Sequence, residues 1–403
     1  MKVLQVNCVY KKGSTGKIVY DIHKSLQDMG IESVVCYGRG KKETEPKVYK
    51  TSNEYLAKFN NIKSRFTGLQ YNGSFIATKN LIKIIEKESP DVVHLHCLNG
   101  FFVNIYKLLN YLKKNNIRTV LTLHAEFMYT GGCGHAFECE RWLSGCGNCP
   151  RLKEATRSYF FDQTSIAWEK MKQCFSNFDN LIVVPVSPWV EKRAKKCQFF
   201  KHIEMQTILN GIDTNSIFYP RNIEYLKERH NLTNEVILLH VTASFDDPVK
   251  GGKYIIQLAE KFKNQNIKII LIGNKNPGLN IPENIIDVGV IKNQHELAAY
   301  YSLADLTILT SKRETYSMVC AESLSCGTPV IGFKAGAPEE ISLKKYSSFV
   351  NYGMIDELYE EIQMWLKKGG LFSELGIETA KNKYSKEKMC KGYINLYESK
   401  LEI

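Results

Sequence analysis

The 403-residue chain reads as an α/β protein of two Rossmann-like domains in series, and three observations carry that reading. Short apolar runs alternate with amphipathic stretches, a pattern that implies parallel sheets covered on both faces. The alternation runs through the first half and then restarts in the second. The length divides naturally into two cores of roughly 200 residues each.

In the first half, strands are expected at residues 3–9, 32–37, 92–96, 119–124 and 181–186. Helices are expected at 17–29, 81–88, 103–115 and 163–176 between them. Residues 41–74 have weak periodicity and read as an irregular excursion. A basic helix after Ser187, through Trp189 and Lys196, leads toward the second domain. There, strands are expected at 236–241, 267–272, 306–310, 327–333 and 348–350, with helices at 253–263 and 294–302. These elements place the domains at 1–188 and 205–380.

Hydrophobic residues make up 44% of the chain and no low-complexity run interrupts it, so both domains should be well packed. No stretch approaches the roughly 20 apolar residues that span a bilayer. Residues 1–10 are too short and polar for a signal peptide and read as a buried strand, so a cytoplasmic location is expected. Charge is uneven. Residues 1–200 hold 30 Lys+Arg against 17 Asp+Glu, a net of +13, and the remainder holds 24 against 25. A basic first half anticipates an acidic partner. Neither an RNA-binding aromatic signature nor a recognition helix accompanies the charge. An anionic membrane face is therefore favoured, with no nucleic acid.

Twelve cysteines in a cytosolic chain argue against a disulfide framework. Eight are scattered singly and read as inert core residues. The other four, Cys133-x5-Cys139-x6-Cys146-x2-Cys149, lie in a glycine-rich insertion. Four thiolates within 17 residues, ending in C-x-x-C, suit a tetrahedral structural zinc, whose binding would offset the ordering entropy of the loop. Reduced thiols, or a redox pair at Cys146 and Cys149, are the alternatives.

The most informative stretch runs from Lys312 to Ile331. Glu314 and Glu322 stand eight apart across a strand-to-helix junction. The helix at 318–326 then stops at Gly327, which fits the position just past its end, with Pro329 following. Thr315, Tyr316, Ser317 and Met318 surround the helix N-terminus, where free N–H groups favour an anion such as a diphosphate. Carboxylates beside it accept sugar hydroxyls at about 1.5–3 kcal/mol per charge-assisted bond. Lys250-Gly251-Gly252 opens a helix after the 236–241 strand, a place for a cation that meets developing negative charge. Gly13-Ser14-Thr15-Gly16 follows the first strand, where backbone can approach a ligand closely. It lacks G-x-x-x-x-G-K-[ST] spacing, which excludes a phosphate-loop NTPase.

Taken in order, these stretches resemble the retaining GT-B glycosyltransferases of family 4. The resemblance rests on Glu314-x7-Glu322, Asp91-Val-Val-His-Leu-His96, Val120-Leu-Thr-Leu-His124, Val186-Ser187, Leu209-Asn-Gly-Ile-Asp213, Lys250-Gly251 and the tail at 393–401. It implies a GT-B fold, two Rossmann-like domains with a cleft between them, and a final helix at 386–403 packing back onto the first. It assigns His124, Lys250 and Glu314 to catalysis. Gly16, Val290, Tyr316, Ser317, Met318 and Glu322 join Lys250 and Glu314 in holding a nucleotide diphosphate sugar. Ser14 and Thr15 fall on the acceptor side, as does the 41–74 excursion.

Three departures from the family pattern stand out. Ser244 occupies a position where relatives often carry an arginine. His-Asp is replaced by His124-Ala125-Glu126, and Glu126 is expected to stand in on the acceptor side. No D-x-D occurs near Asp246 and Asp247, consistent with metal-independent transfer. His94 and His96 are read as alternating along a strand, one toward the cleft and one into the core. Asn210 to Asp213 is read as a structural turn. The cysteine insertion resembles one seen in capsule and exopolysaccharide glycosyltransferases.

The expected function is transfer of a sugar, with retention, to a lipid-linked oligosaccharide at the inner face of the cell membrane. A GT-B sugar-nucleotide epimerase and a zinc-dependent nucleic-acid-binding protein are the rivals.

Overall fold

Two series of buried β-branched and leucine residues build two all-parallel sheets in the computed structural model, which describes residues 1–368 and 372–399. The chain divides into one unit of Met1–Leu209 with the residues from Cys390 onward, and a second of Asn210–Met389.

In the first unit the strands are β1 (Lys2–Asn7), β2 (Glu32–Tyr37), β3 (Val48–Lys50), β4 (Val92–Leu95), β5 (Thr119–Leu123), β6 (Leu181–Pro185) and β7 (Glu204–Met205). They lie in the order β3-β2-β1-β4-β5-β6-β7. All five residues of β5 and of β6 are buried, as expected of strands covered on both faces. The helices are α1 (Gly13–Asp28), α2 (Glu54–Thr67), α3 (Phe75–Glu88), α4 (Ile105–Lys114), α5 (Thr164–Phe175) and α6 (Pro188–Lys196).

Several boundaries differ from the sequence reading, among them the start of α3 at Phe75 rather than residue 81. The 41–74 excursion holds β3 and α2, and α1 begins at Gly13, which puts Ser14, Thr15 and Gly16 in its first turn. The first unit runs past residue 188 because β7 pairs with β6, Ile182 opposite Glu204.

The second unit repeats the plan. Its helices are α7 (Glu224–Arg229), α8 (Gly252–Lys261), α9 (Gln294–Leu303), α10 (Met318–Ser325), α11 (Pro338–Ile341), α12 (Ile355–Lys368) and α13 (Glu374–Tyr384). The strands β8 (Val236–Ser244), β9 (Ile267–Asn274), β10 (Ile285–Gly289), β11 (Leu306–Leu309), β12 (Val330–Phe333) and β13 (Ser347–Val350) lie in the order β10-β9-β8-β11-β12-β13. Leu238, Ile255, Leu258, Ile269, Ile308 and Phe333 lie in its core.

The final helix, α14 (Lys386–Glu398), starts in the second unit and ends in the first. At its end, Arg118 donates from both terminal nitrogens to the Leu396 and Tyr397 carbonyls, each at 2.7 Å. Those carbonyls are among the ones a helix end leaves unpaired. Residues 400–403 of the expected tail helix lie outside the described residues. No helix among the described residues is long and apolar enough to cross a membrane.

Each sheet reverses its direction of winding once, between β1 and β4 in the first and between β8 and β11 in the second. In open parallel sheets, ligands gather outside the carboxyl ends of the strands at this point.

Candidate functional site

The loops after β8 and β11 meet at the switch point of the second sheet. Their approach depends on Gly251, whose φ is +72°. A Cβ there would stand 2.2 Å from the Thr310 carbonyl oxygen. With glycine in place, the Thr310 hydroxyl donates to the Lys250 carbonyl at 3.0 Å and Lys312 N–H to Val249 O at 2.7 Å. The Lys250 ammonium is thereby held 2.7 Å from Glu314 Oε1, with the side chains 31% and 19% exposed. Glu314 is fixed from the other side as well, because its N–H donates to Ala335 O at 2.9 Å and its carbonyl accepts from Ala337 at 3.2 Å.

Ser317, at φ +91°, caps α10, its hydroxyl accepting from Cys320 N–H at 3.3 Å. Met318 opens the helix, and Glu322 in the second turn accepts the Tyr301 hydroxyl at 2.9 Å. Gly327, at φ +85°, follows the helix end. Val290 is exposed just past β10, at the same carboxyl edge.

Lys250, Glu314, Ser317 and Met318 therefore come together. Tyr316 does not join them through its side chain. It is buried, and its hydroxyl donates to Asn210 O at 2.6 Å. Burial pushes that phenol well above its ordinary range. One partner escaped the sequence reading. Tyr301, which holds Glu322, lies 21 residues away and carries no local signal. Lys312 and Arg313 place two cations just before Glu314 on the loop after β11, whereas Ser244 ends β8.

The switch point of the first sheet has another character. His94 and His96 are both buried on one side of the sheet, ring centroids 3.8 Å apart. The expected division between cleft and core is corrected, because residues two apart along a strand share a face. His94 accepts or donates to Tyr397 Oη at 2.6 Å and Thr122 Oγ1 at 2.7 Å. His96 meets Gln5 Oε1 at 3.2 Å and His124 Nε2 at 3.3 Å. Burial holds all three imidazoles below their usual range, His124 at about 4, so they are neutral at pH 7.

At the end of β1, Ser14 is exposed and Thr15 partly so. Gly16 is buried where a Cβ would press to 3.2 Å from Val9 Cγ2.

Glu126 is not placed for the acceptor role expected of it. It is fully buried and its carboxylate is surrounded by Arg193 Nε at 2.6 Å, Ala136 N–H at 2.8 Å and the Tyr129 hydroxyl at 3.2 Å. Full burial and these three internal donors turn the carboxylate to the protein rather than to a ligand.

The four clustered cysteines line one small cavity of about 30 Å3, together with Trp142 and Thr164. Gly131 allows the chain to close there, for a Cβ would sit 2.9 Å from Cys146 Cβ; its N–H donates to Cys146 Sγ at 3.2 Å. Burial pushes the Cys133 thiol to about 11 and that of Cys146 to about 12. The donor set suits zinc, and an N–H donor to sulfur suits a thiolate. Among the described residues, however, no three His, Cys, Asp or Glu side chains already stand where they could hold a metal ion. A metal would have to draw the sulfurs inward.

A larger cavity of about 540 Å3, lined by Phe175, Leu181, Phe199 and Glu204, opens at the amino ends of β6 and β7. That is the wrong end of the sheet for the motifs.

Comparison with known proteins gives the family and the fold. Residues 15–216 match the profile of glycosyltransferase family 4, and residues 222–383 that of glycosyl transferases group 1. The chain is 23% identical to the putative colanic acid biosynthesis glycosyl transferase WcaC of Escherichia coli K12, over 99% of this chain and 100% of that one. It is 22% identical to the N-acetyl-alpha-D-glucosaminyl L-malate synthase of Bacillus anthracis, over 97% and 95%. Among solved structures, Anabaena HepE in complex with UDP superposes with a TM-score of 0.70 at 16% identity, covering 99% of this chain and 100% of that one. The sucrose-phosphate synthase of Thermosynechococcus elongatus gives 0.70 at 16%, over 99% and 98%. The protein belongs to glycosyltransferase family 4 and has the GT-B fold.

Proposed function

We propose that this glycosyltransferase moves a sugar, with retention and without a catalytic metal, from a nucleotide diphosphate donor to a lipid-linked oligosaccharide. Its setting is surface polysaccharide assembly, such as a capsule, at the cytoplasmic face of the cell membrane. The observation that carries the reading is the Lys250–Glu314 pair, held at the switch point of the second sheet beside the start of α10. Support for the donor class comes from HepE, solved with UDP and with UDP-glucose. Support for the setting comes from the name of WcaC.

In this mechanism Lys250 meets the charge that develops on the departing diphosphate, with the α10 N–H groups at Ser317 and Met318 behind it. Glu314 positions the transferring sugar, Glu322 the ribose hydroxyls, and Val290 the base. His124, neutral at pH 7, serves the transferring sugar as a hydrogen-bonding group. Ser14 and Thr15 serve the acceptor. The acceptor hydroxyl attacks on the face the diphosphate leaves, and a diphosphate oxygen takes its proton. The protein supplies placement and fixed charge.

A thermal-shift screen across nucleotide sugars tests this, since a ligand at 100 times its Kd stabilises by about 2.7 kcal/mol. No shift with any nucleotide sugar removes the reading. A donor converted to its epimer without acceptor would favour the epimerase instead.

The cysteine cavity is proposed to take one structural zinc that fixes the insertion. Elemental analysis of protein purified under reducing conditions should find about one zinc per chain. Cys146→Ser should release it and leave donor binding intact. Metal-free protein with an equally ordered insertion would leave reduced thiols as the answer.

A further inference from the structure

The helix α2 is inside out. Tyr55, Phe59, Ile62 and Phe66, spaced by four, three and four residues, form one stripe, and each is more than half exposed. The face turned inward carries Ala57, Asn60 and Ser64. This packing is not loose. The Asn60 side chain accepts Ser74 N–H at 3.0 Å, and a Cβ at Gly73 would stand 2.5 Å from Asn60 Oδ1. Small and polar groups fit the helix closely to the unit and leave the aromatic stripe outside.

Two other segments extend the stripe. Phe75 and Ile76 stand exposed on the first turn of α3, across a cavity of about 290 Å3 that Lys63 and Phe75 both line. Phe160 and Phe161 are exposed on the loop at 159–161. The Phe66 ring lies 5.4 Å from Tyr159 and 6.0 Å from Phe160. That loop is anchored, since Tyr159 N–H donates to Arg65 O at 2.8 Å and Arg65 Nη1 reaches the Tyr159 hydroxyl at 3.2 Å.

The charge along α2 and the start of α3 is of one sign, and Asp162 beside the loop is taken up by the N–H and hydroxyl of Thr164. Residues 55–83 contain Lys58, Lys63, Arg65, Lys79 and Lys83 and no Asp or Glu. The acid at the helix start, Glu54, is held by Arg39 at 2.8 Å.

We propose that this face inserts into an anionic lipid bilayer, with the aromatic stripe at the level of the acyl boundary and the lysines against the headgroups. A contiguous exposed apolar patch marks an interaction site. Apolar rings on one helical face with flanking lysines are what an interfacial helix presents to lipid. A second copy of the chain fits poorly, because pairing the face with itself would set five cations against five. The inference rests on the reading that this enzyme works at a membrane, and it names the surface that does so.

Flotation of the full chain with phosphatidylcholine vesicles, with and without phosphatidylglycerol, tests it. The wild type should float with the anionic vesicles and not with the neutral ones. Phe59→Glu with Phe160→Glu should abolish flotation. Lys58→Gln with Lys63→Gln should weaken it by about fivefold per charge, the equivalent of about 1 kcal/mol each. Leu375→Glu, a change at an exposed apolar residue of the second unit, should float as wild type.

If the wild type floats with neither vesicle, both the membrane reading and this surface fall. If it floats and the double phenylalanine variant floats equally well, the surface falls and the membrane reading stands. If that variant instead turns a dimer into a monomer and still floats, the face is an interface between copies. Thermal unfolding checks that the variants fold, and Phe160→Ser in the loop carries the test alone if the double variant does not.

Discussion

Two ion pairs of nearly equal length sit in this protein and do different things. Arg193 and Glu126 meet at 2.6 Å in the first unit, and Lys250 and Glu314 at 2.7 Å in the second. Glu126 is wholly buried among three donors, so its carboxylate has no open side to offer a ligand. Burial works against the Arg193 charge, yet Glu126 beside it raises the guanidinium above its ordinary value. Lys250 and Glu314 are both partly open to solvent, at loop ends where the sheet reverses. A carboxylate enclosed by its own protein is structure, whereas one left open at a switch point can be shared with a substrate. The sequence marked both glutamates alike as site residues, and the distinction lies in solvent access.

That contrast can be broken from either side. The largest effect is expected at Glu126→Gln, which leaves the half-buried Arg193 guanidinium without its buried counter-ion and should cost about 3–5 kcal/mol in denaturant unfolding. Nucleotide-sugar binding should survive, and a loss below about 1 kcal/mol would make the pair an ordinary surface bridge. Lys250→Met should do the reverse. Turnover should fall by about 2.7–4 kcal/mol, or 10²–10³-fold, while stability moves by less than about 1 kcal/mol. A near-normal rate would pass the task to Lys312 or Arg313.

Glu322→Ala should weaken donor binding by about 1.5–3 kcal/mol in calorimetry. Tyr301→Phe, which removes the protein's own hydrogen bond to that carboxylate, should leave most donor affinity in place. Equal losses in the two variants would mean that Glu322 only braces α9 against α10.

The smallest effect separates the units by pH. The first holds His23 and His124 at about 4, with His94 and His96 well below 6.5, and the second holds His240 at about 4, with His230 lowered by burial. A histidine whose folded pKa is depressed takes up its proton more readily when unfolded. Its contribution is therefore complete above pH 6.5 and is lost as pH falls toward 4. In the second unit, burial would raise Asp213, but Lys386 and Ser216 hold it down to about 2, and that contribution persists until pH falls below its ordinary 3.8. Hydrogen exchange between pH 6.5 and 4 should show the first unit loosening before the second. Simultaneous loosening would deny the histidine cluster any special weight.

Much of this was legible in the chain. The period-two and period-3.6 patterns located the long strands and helices, because burial on both faces of a sheet leaves apolar runs that need no partner to be recognised. Lys250-Gly251 was legible because only glycine tolerates the approach of Thr310. Other features were obscured for physical reasons. The α2 stripe has helical spacing, but periodicity reports an apolar face without saying whether it points inward, so the 41–74 stretch read as irregular. β7 is two residues long, too short to leave a pattern.

The sequence by itself determined the fold class, the family and the identity of the charged residues near the donor motif, since these depend on local spacing and composition. The tertiary structure alone decided which of them meet. It buried Glu126 against α6 and the insertion and left Glu314 partly open. It put His94 and His96 on one face, turned Tyr316 into the core, and set Tyr301 against Glu322. Burial and long-range hydrogen bonding settle those outcomes, and both depend on groups brought together from distant parts of the chain, which local sequence does not encode.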